Sequence, residues 1–138
     1  GSLSLRADPV LVIGADTVVS IDGKILGKPA DQKQAAGMLR MLSGKSHNVS
    51  TGVALIGLEA GIQTWNKSFS ETTEVRVAEL TEEEIMSYVN TDEPYDKAGA
   101  YGIQGIFGKH IQGIEGDYNN VVGLPVHRLY QELKDHLN

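Results

Sequence analysis

The sequence predicts an α/β domain, and three observations carry that reading. Apolar residues run unbroken from Val10 to Ile13 and alternate with polar ones in Thr73–Val77, both strand patterns. Ala35, Met38, Leu39 and Leu42, and later Val126, Leu129, Tyr130 and Leu133, recur at three- and four-residue spacing, the period of a helix with one apolar face. The two kinds of signal interleave along the chain in the order β-β-α-β-β-α-β-α.

Each element follows in turn. Val10–Ile13, bounded by Gly14, has the continuous apolar character of a strand buried on both faces. Val18–Ser20 and Lys24–Leu26 flank Asp22-Gly23, a pair suited to a tight hairpin tip because both residues tolerate positive φ. Pro29 breaks the pattern, Asp31 stands where a helix cap belongs, and the helix over Gln32–Leu42 stops at Gly44 as its C′ residue. Val49–Leu58 returns to a strand pattern and is expected to pair, around a turn at Glu59–Gly61, with the segment ending in Thr73–Val77. Thr81 and Glu84 have the spacing of a capping box ahead of Ile85, Met86 and Val89. Residues 90–108 are glycine-rich and irregular, residues 110–125 hold a short strand and a turn, and Pro125 opens the last helix.

A length of 138 residues with 41% hydrophobic and 22% charged residues is that of one domain with a moderate core. The formal charge of −6 argues against a general DNA binder, which needs surplus lysine and arginine, but leaves room for a small phosphate ligand met by a few local cations. With no cysteine, disulfides, thiolate catalysis and cysteine-based zinc sites are excluded, and a reducing, cytoplasmic setting fits. His47, His110, His127 and His136 are scattered without metal-ligand spacing and read as ordinary helix and surface histidines. No apolar run approaches the roughly 20 residues of a bilayer span, so no membrane partner is expected. Residues 1–9 read as a leader or tag remnant and residues 10–138 as the domain.

Four places could do chemistry. Asp16 follows the apolar strand, where ligands gather in α/β sheets, and Thr17 beside it could hold a substrate group; a turn aspartate and a plain strand threonine are the alternatives. Lys28 in "GKP" has a glycine beside it and could act as a point charge on a phosphate, or lie solvated. Asp96 and Lys97 suit metal and phosphate contacts if a turn brings them together, or form a surface ion pair. Gln104 carries a donor and an acceptor, the equipment for a nucleobase edge. Tyr101 and Phe107 could stack on a base, though core packing suits both. The chain contains no phosphate-binding GxxxxGK[ST] loop, nucleophile elbow or HExxH motif, which disfavours a Walker-type NTPase and a serine hydrolase.

The stretches "VIGADTVV", "GKILGKP", "AAGMLRMLSGKSHNVSTGVAL", "ETTEV", "YVNTDEPYDKAGAYGIQG" and "IEGDYNNVVGLP" together resemble the Maf family of nucleoside triphosphate pyrophosphatases, in the family's order and over nearly the whole chain. The resemblance implies a Maf/ITPase-like mixed sheet flanked by helices around a ligand cleft. It implies hydrolysis of a nucleoside triphosphate to the monophosphate and pyrophosphate with a divalent cation, Mg²⁺ or Mn²⁺. It further implies a homodimer that clears non-standard or surplus nucleotides, a house-cleaning role, and a link to arrest of septum formation. Carried over by residue, Asp16 matches the proton acceptor for the attacking water, Lys28 a catalytic or phosphate-binding lysine, and Asp96 and Lys97 an active-site pair, with Asp96 a metal ligand. Thr17 and Gln104 match specificity positions and resemble the branch acting on dTTP and UTP, rather than the one acting on 7-methyl-GTP.

One family motif is missing. Nothing like the opening "LASxSPRRxxLL", whose serine and arginines contact the triphosphate, stands before Val10. The resemblance therefore implies a Maf domain lacking its first ~50–60 residues, a large share of one domain length. Two readings follow: a pyrimidine triphosphate pyrophosphatase, or a shortened domain that binds nucleotide or a partner without turnover.

Overall fold

The computed structural model describes residues 9–137. In chain order these form β1 (Val10–Ile21), β2 (Lys24–Leu26), α1 (Gln32–Leu42), β3 (Ser46–Glu59), β4 (Ile62–Val77), α2 (Glu82–Val89), β5 (Ile111–Glu115), α3 (Tyr118–Val122) and α4 (Val126–Leu137). Three short 3-10 turns, Glu93–Asp96, Ala98–Ala100 and Ile106–His110, fill the irregular stretch between α2 and β5. The strands make one sheet in the order β2-β1-β3-β4-β5. The expected α/β fold is present, with every described strand pair antiparallel rather than mixed.

Local chemistry sets the connections. Asp22 and Gly23 (φ 51° and 78°) close the β1–β2 hairpin, and Ala60 and Gly61 (φ 52° and 78°) close β3–β4 in the same left-handed pair, whose twist suits adjoining strands. Asp31 caps α1 by accepting the Gln34 amide at 2.8 Å, and Gly44 at φ 69° follows its last turn. Thr81 and Glu84 form the full capping box of α2.

The main core lies between one face of the sheet and α1 and α2. Leu39 and Leu42 of α1 and Val89 of α2 meet Val49, Val75 and Val77. A second cluster, Val53, Leu55, Phe69 and Leu129, sits under α4. Val126 and Tyr130, expected on the buried face of that helix, are exposed, as is Met86 on α2; α4 buries itself through Leu129 and Leu133 alone among the four.

Three further expectations are corrected. The first strand does not end at Gly14; it runs unbroken to Ile21, because Gly14, Ala15 and Asp16 continue the ladder with Ala54, Val53 and Gly52. Nor are Val10–Ile13 buried: all four are 37–51% exposed. The cause is topological. β2 pairs with β1 only from Val19 to Ile21, so the rest of that edge has no neighbouring strand among the described residues. His47, read as a surface histidine, is buried in β3. Residues 1–8, and the side chain of His136, lie outside what is described.

Candidate active site

Asp16, Thr17, Lys28, Asp96, Lys97 and Gln104 all border one cavity of about 310 Å³. Three segments distant in sequence bring these six there: the middle of β1, the turn after β2, and the irregular stretch following α2; Val49 of β3 and the end of α3 complete the wall. The junction between them is a backbone hydrogen bond from Gly99 N–H to the Gly27 carbonyl, 3.1 Å. Gly99 has φ 74°, and a Cβ there would come within 3.0 Å of Val19 on β1. Glycine therefore serves two needs at once, the left-handed backbone and the close approach that lays the Asp96–Lys97 turn onto β1 beside Lys28.

Asp16 does not stand past a strand end but inside one. Pleat alternation puts Thr17, paired with buried Thr51, on the inner face of the sheet and sends Asp16 to the other face. Both still border the cavity because β1 is an edge strand at this level, so the space wraps around its open side.

The charged wall is organised by contact. Lys97 Nζ lies 2.8 Å from Asp96 Oδ1 and 3.5 Å from the Glu93 carbonyl oxygen. Its hydrogen bond and charge hold the Asp96 carboxyl below the usual carboxylate range, with a smaller pull from Lys28. The turn thus does make the two adjacent side chains converge. Among the described residues no three histidine, cysteine, aspartate or glutamate side chains cluster as a metal site.

The sequence did not point to what holds Gln104 in place. Glu93 Oε1 accepts the Ile106 N–H at 3.0 Å, and Oε2 accepts the Phe107 N–H at 3.4 Å together with the Tyr88 hydroxyl. Tyr88 in turn accepts the Gly102 N–H at 3.2 Å. The carboxylate and phenol strap down both ends of the loop that carries Gln104. Burial, then the bond to Glu93, raises the Tyr88 pKa, so the phenol stays protonated and donates. Gly105 is the legible trace of this clamp: a Cβ there would lie 1.5 Å from Glu93 Oε1. Tyr101 borders the cavity but is buried, and Phe107 packs against Tyr88 and Tyr101 in the core.

Comparison with known proteins agrees with the resemblance. The profile of the family described as Maf-like protein matches residues 2–136. The chain is 58% identical over 125 residues to a dTTP/UTP pyrophosphatase of Agathobacter rectalis, covering 91% of this chain and 61% of the relative. It is 55% identical over 123 residues to one of Koribacter versatilis, covering 89% and 61%. To one of Carboxydothermus hydrogenoformans it is 54% identical over 125 residues, covering 91% and 66%. The chain thus spans between three fifths and two thirds of the length of these relatives. With a profile match from end to end and identities above half, the chain belongs to the family of Maf-like proteins.

Proposed function

We propose that this chain carries the pyrimidine nucleotide site of a nucleoside triphosphate pyrophosphatase, which hydrolyses dTTP and UTP to the monophosphate and pyrophosphate. The observation that carries the proposal is the gathering of two lysines, two aspartates, a threonine and a glutamine around one cavity. The lysine cations suit a polyphosphate; an amide and a hydroxyl suit a base edge. The names of the relatives support the same substrates.

In this reading Asp16 orients a water and takes its proton as the water oxygen bonds to phosphorus. The α–β anhydride bond breaks and its electron pair leaves on pyrophosphate. Lys28 and Lys97 offset the negative charge that repels the nucleophile. Gln104 and Thr17 hold the base. The donor set fits a divalent cation that arrives with the triphosphate, because Asp96 already shares its charge with Lys97 and no protein-only cluster exists among the described residues. Asp96 and Asp16 are the carboxylates that would hold it, and such a cation would neutralise phosphate charge and polarise phosphorus.

The test is pyrophosphate release from dTTP, UTP, 7-methyl-GTP and ATP with Mg²⁺ or Mn²⁺, alongside binding of each nucleotide, for this chain and for Asp16→Asn. Turnover of dTTP or UTP that disappears in the variant while binding persists supports the proposal. Binding without turnover in the unmodified chain favours the non-catalytic reading, and faster hydrolysis of 7-methyl-GTP overturns the substrate assignment.

A further inference from the structure

Thr17 is joined to a chain of buried hydroxyls that leads away from the cavity. Its Oγ1 lies 2.9 Å from Thr51 Oγ1, and Thr51 Oγ1 lies 3.2 Å from the Asn120 carbonyl oxygen. Thr51 and Asn120 are both 0% exposed, so no solvent competes at that end. The Asn120 amide is itself pinned, with Nδ2 donating to the Val49 carbonyl and to Thr73 Oγ1, each at 3.0 Å. Thr73 then donates to the Asp117 carbonyl at 2.9 Å. These bonds fix the α3 turn, and with it the Asn120 carbonyl, against β3 and β4.

A hydroxyl has one proton, and a carbonyl can only accept. If Thr51 gives its proton to Asn120, Thr17 must give its own to Thr51. The reverse order would leave two oxygens at 3.2 Å with no proton between them, inside a site that water does not reach. We infer that Thr51 is a positioning residue that fixes the direction of the Thr17 hydroxyl, so that Thr17 offers the cavity an acceptor and no donor.

This inference rests on the pyrimidine-site reading and says which group in that site tells uracil and thymine from cytosine. Gln104 alone cannot. It is exposed, and among the described residues no hydrogen bond fixes its amide, which can rotate half a turn and exchange donor for acceptor. Thr17 cannot reverse. A ring N3–H of uracil or thymine meets an acceptor there; the unprotonated N3 of cytosine meets a lone pair. Discrimination by an unpaired polar group is stronger than by shape.

The test is calorimetric binding of UTP and CTP to the full chain and to Thr51→Val and Thr51→Ser. In the unmodified chain UTP binds more tightly. Thr51→Val, which keeps the shape and removes the acceptor, lets Thr17 turn its proton outward, and the preference falls about tenfold or more. Thr51→Ser retains the preference. A UTP preference unchanged in Thr51→Val overturns the inference and leaves the pyrimidine site standing; failure of the unmodified chain to bind either nucleotide removes both. Should Thr51→Val not fold, nuclear Overhauser contacts of the Thr51 hydroxyl proton decide in the unmodified chain. Contact with the Gly123 amide, which donates to the same Asn120 carbonyl at 3.2 Å, supports the inference. Contact with Thr17 alone overturns it.

Discussion

His47 Nε2 and the Tyr101 hydroxyl lie 2.6 Å apart, both nearly sealed from solvent, and Tyr101 forms part of the cavity wall. Burial lowers the His47 pKa from 6.5 to about 4 and raises that of Tyr101, so both groups are neutral at pH 7. Among the described residues His47 Nδ1 has no hydrogen-bond partner, which makes a proton there still less welcome.

A histidine with a depressed pKa binds its proton more weakly folded than unfolded. Its contribution to stability is complete above pH 6.5 and is lost as pH falls towards 4, by up to about 3 kcal/mol. Urea unfolding at pH 7, 6 and 5 should show the midpoint falling with pH. His47→Gln should flatten that slope. The comparison with His47→Gln isolates the effect, since the carboxyls with lowered pKa values, Glu82, Glu84 and Asp96, act equally in both proteins and at the acid end of the range. Equal slopes in the two proteins would remove His47 as the cause.

What the sequence made legible was local. Asp22-Gly23, Asp31, Gly44 and the Thr81–Glu84 box act within a few residues of themselves, and the structure has each where the spacing put it. Val10–Ile13 failed because an apolar run says that a strand wants cover, not whether a neighbour supplies it. Gly14 looked like a stop because the ladder partner that carries β1 onward, Ala54, is forty residues away. All six candidate residues border one space, but the groups that steady them were hidden. Glu93 and Thr51 act across 13 and 69 residues, and neither belongs to a motif that names its partner.

The Glu93 clamp yields a second prediction. In Gly105→Ala the new methyl must displace Glu93 Oε1, so the bonds to Ile106 and Phe107 open and Gln104 loses its anchorage. Affinity for UTP should fall about tenfold, as expected for losing a well-placed polar contact, while affinity for inorganic tripolyphosphate stays unchanged. Glu93→Gln, which keeps the volume and one acceptor, should lie between. Calorimetric titration of both ligands checks this. An equal loss for both would mean that the whole cavity, not the base end, depends on the clamp.

Asp96 and Lys97 supply the third prediction, because their 2.8 Å contact assigns the two charges opposite effects on one ligand. Lys97→Met removes a cation from the charged wall, so tripolyphosphate and UTP affinity should both fall by 10- to 100-fold, in line with a charge-assisted hydrogen bond. The remaining binding should depend less on salt. Asp96→Asn frees Lys97 and removes a repelling charge, so metal-free tripolyphosphate should bind more tightly than to the unmodified chain. If Asp96 also holds the cation, the order inverts when Mg²⁺ is added, and the variant becomes the weaker binder. Titrating tripolyphosphate with and without Mg²⁺ separates the cases. A variant that binds more tightly under both conditions would confine Asp96 to orienting Lys97 and leave Asp16 as the carboxylate for the metal.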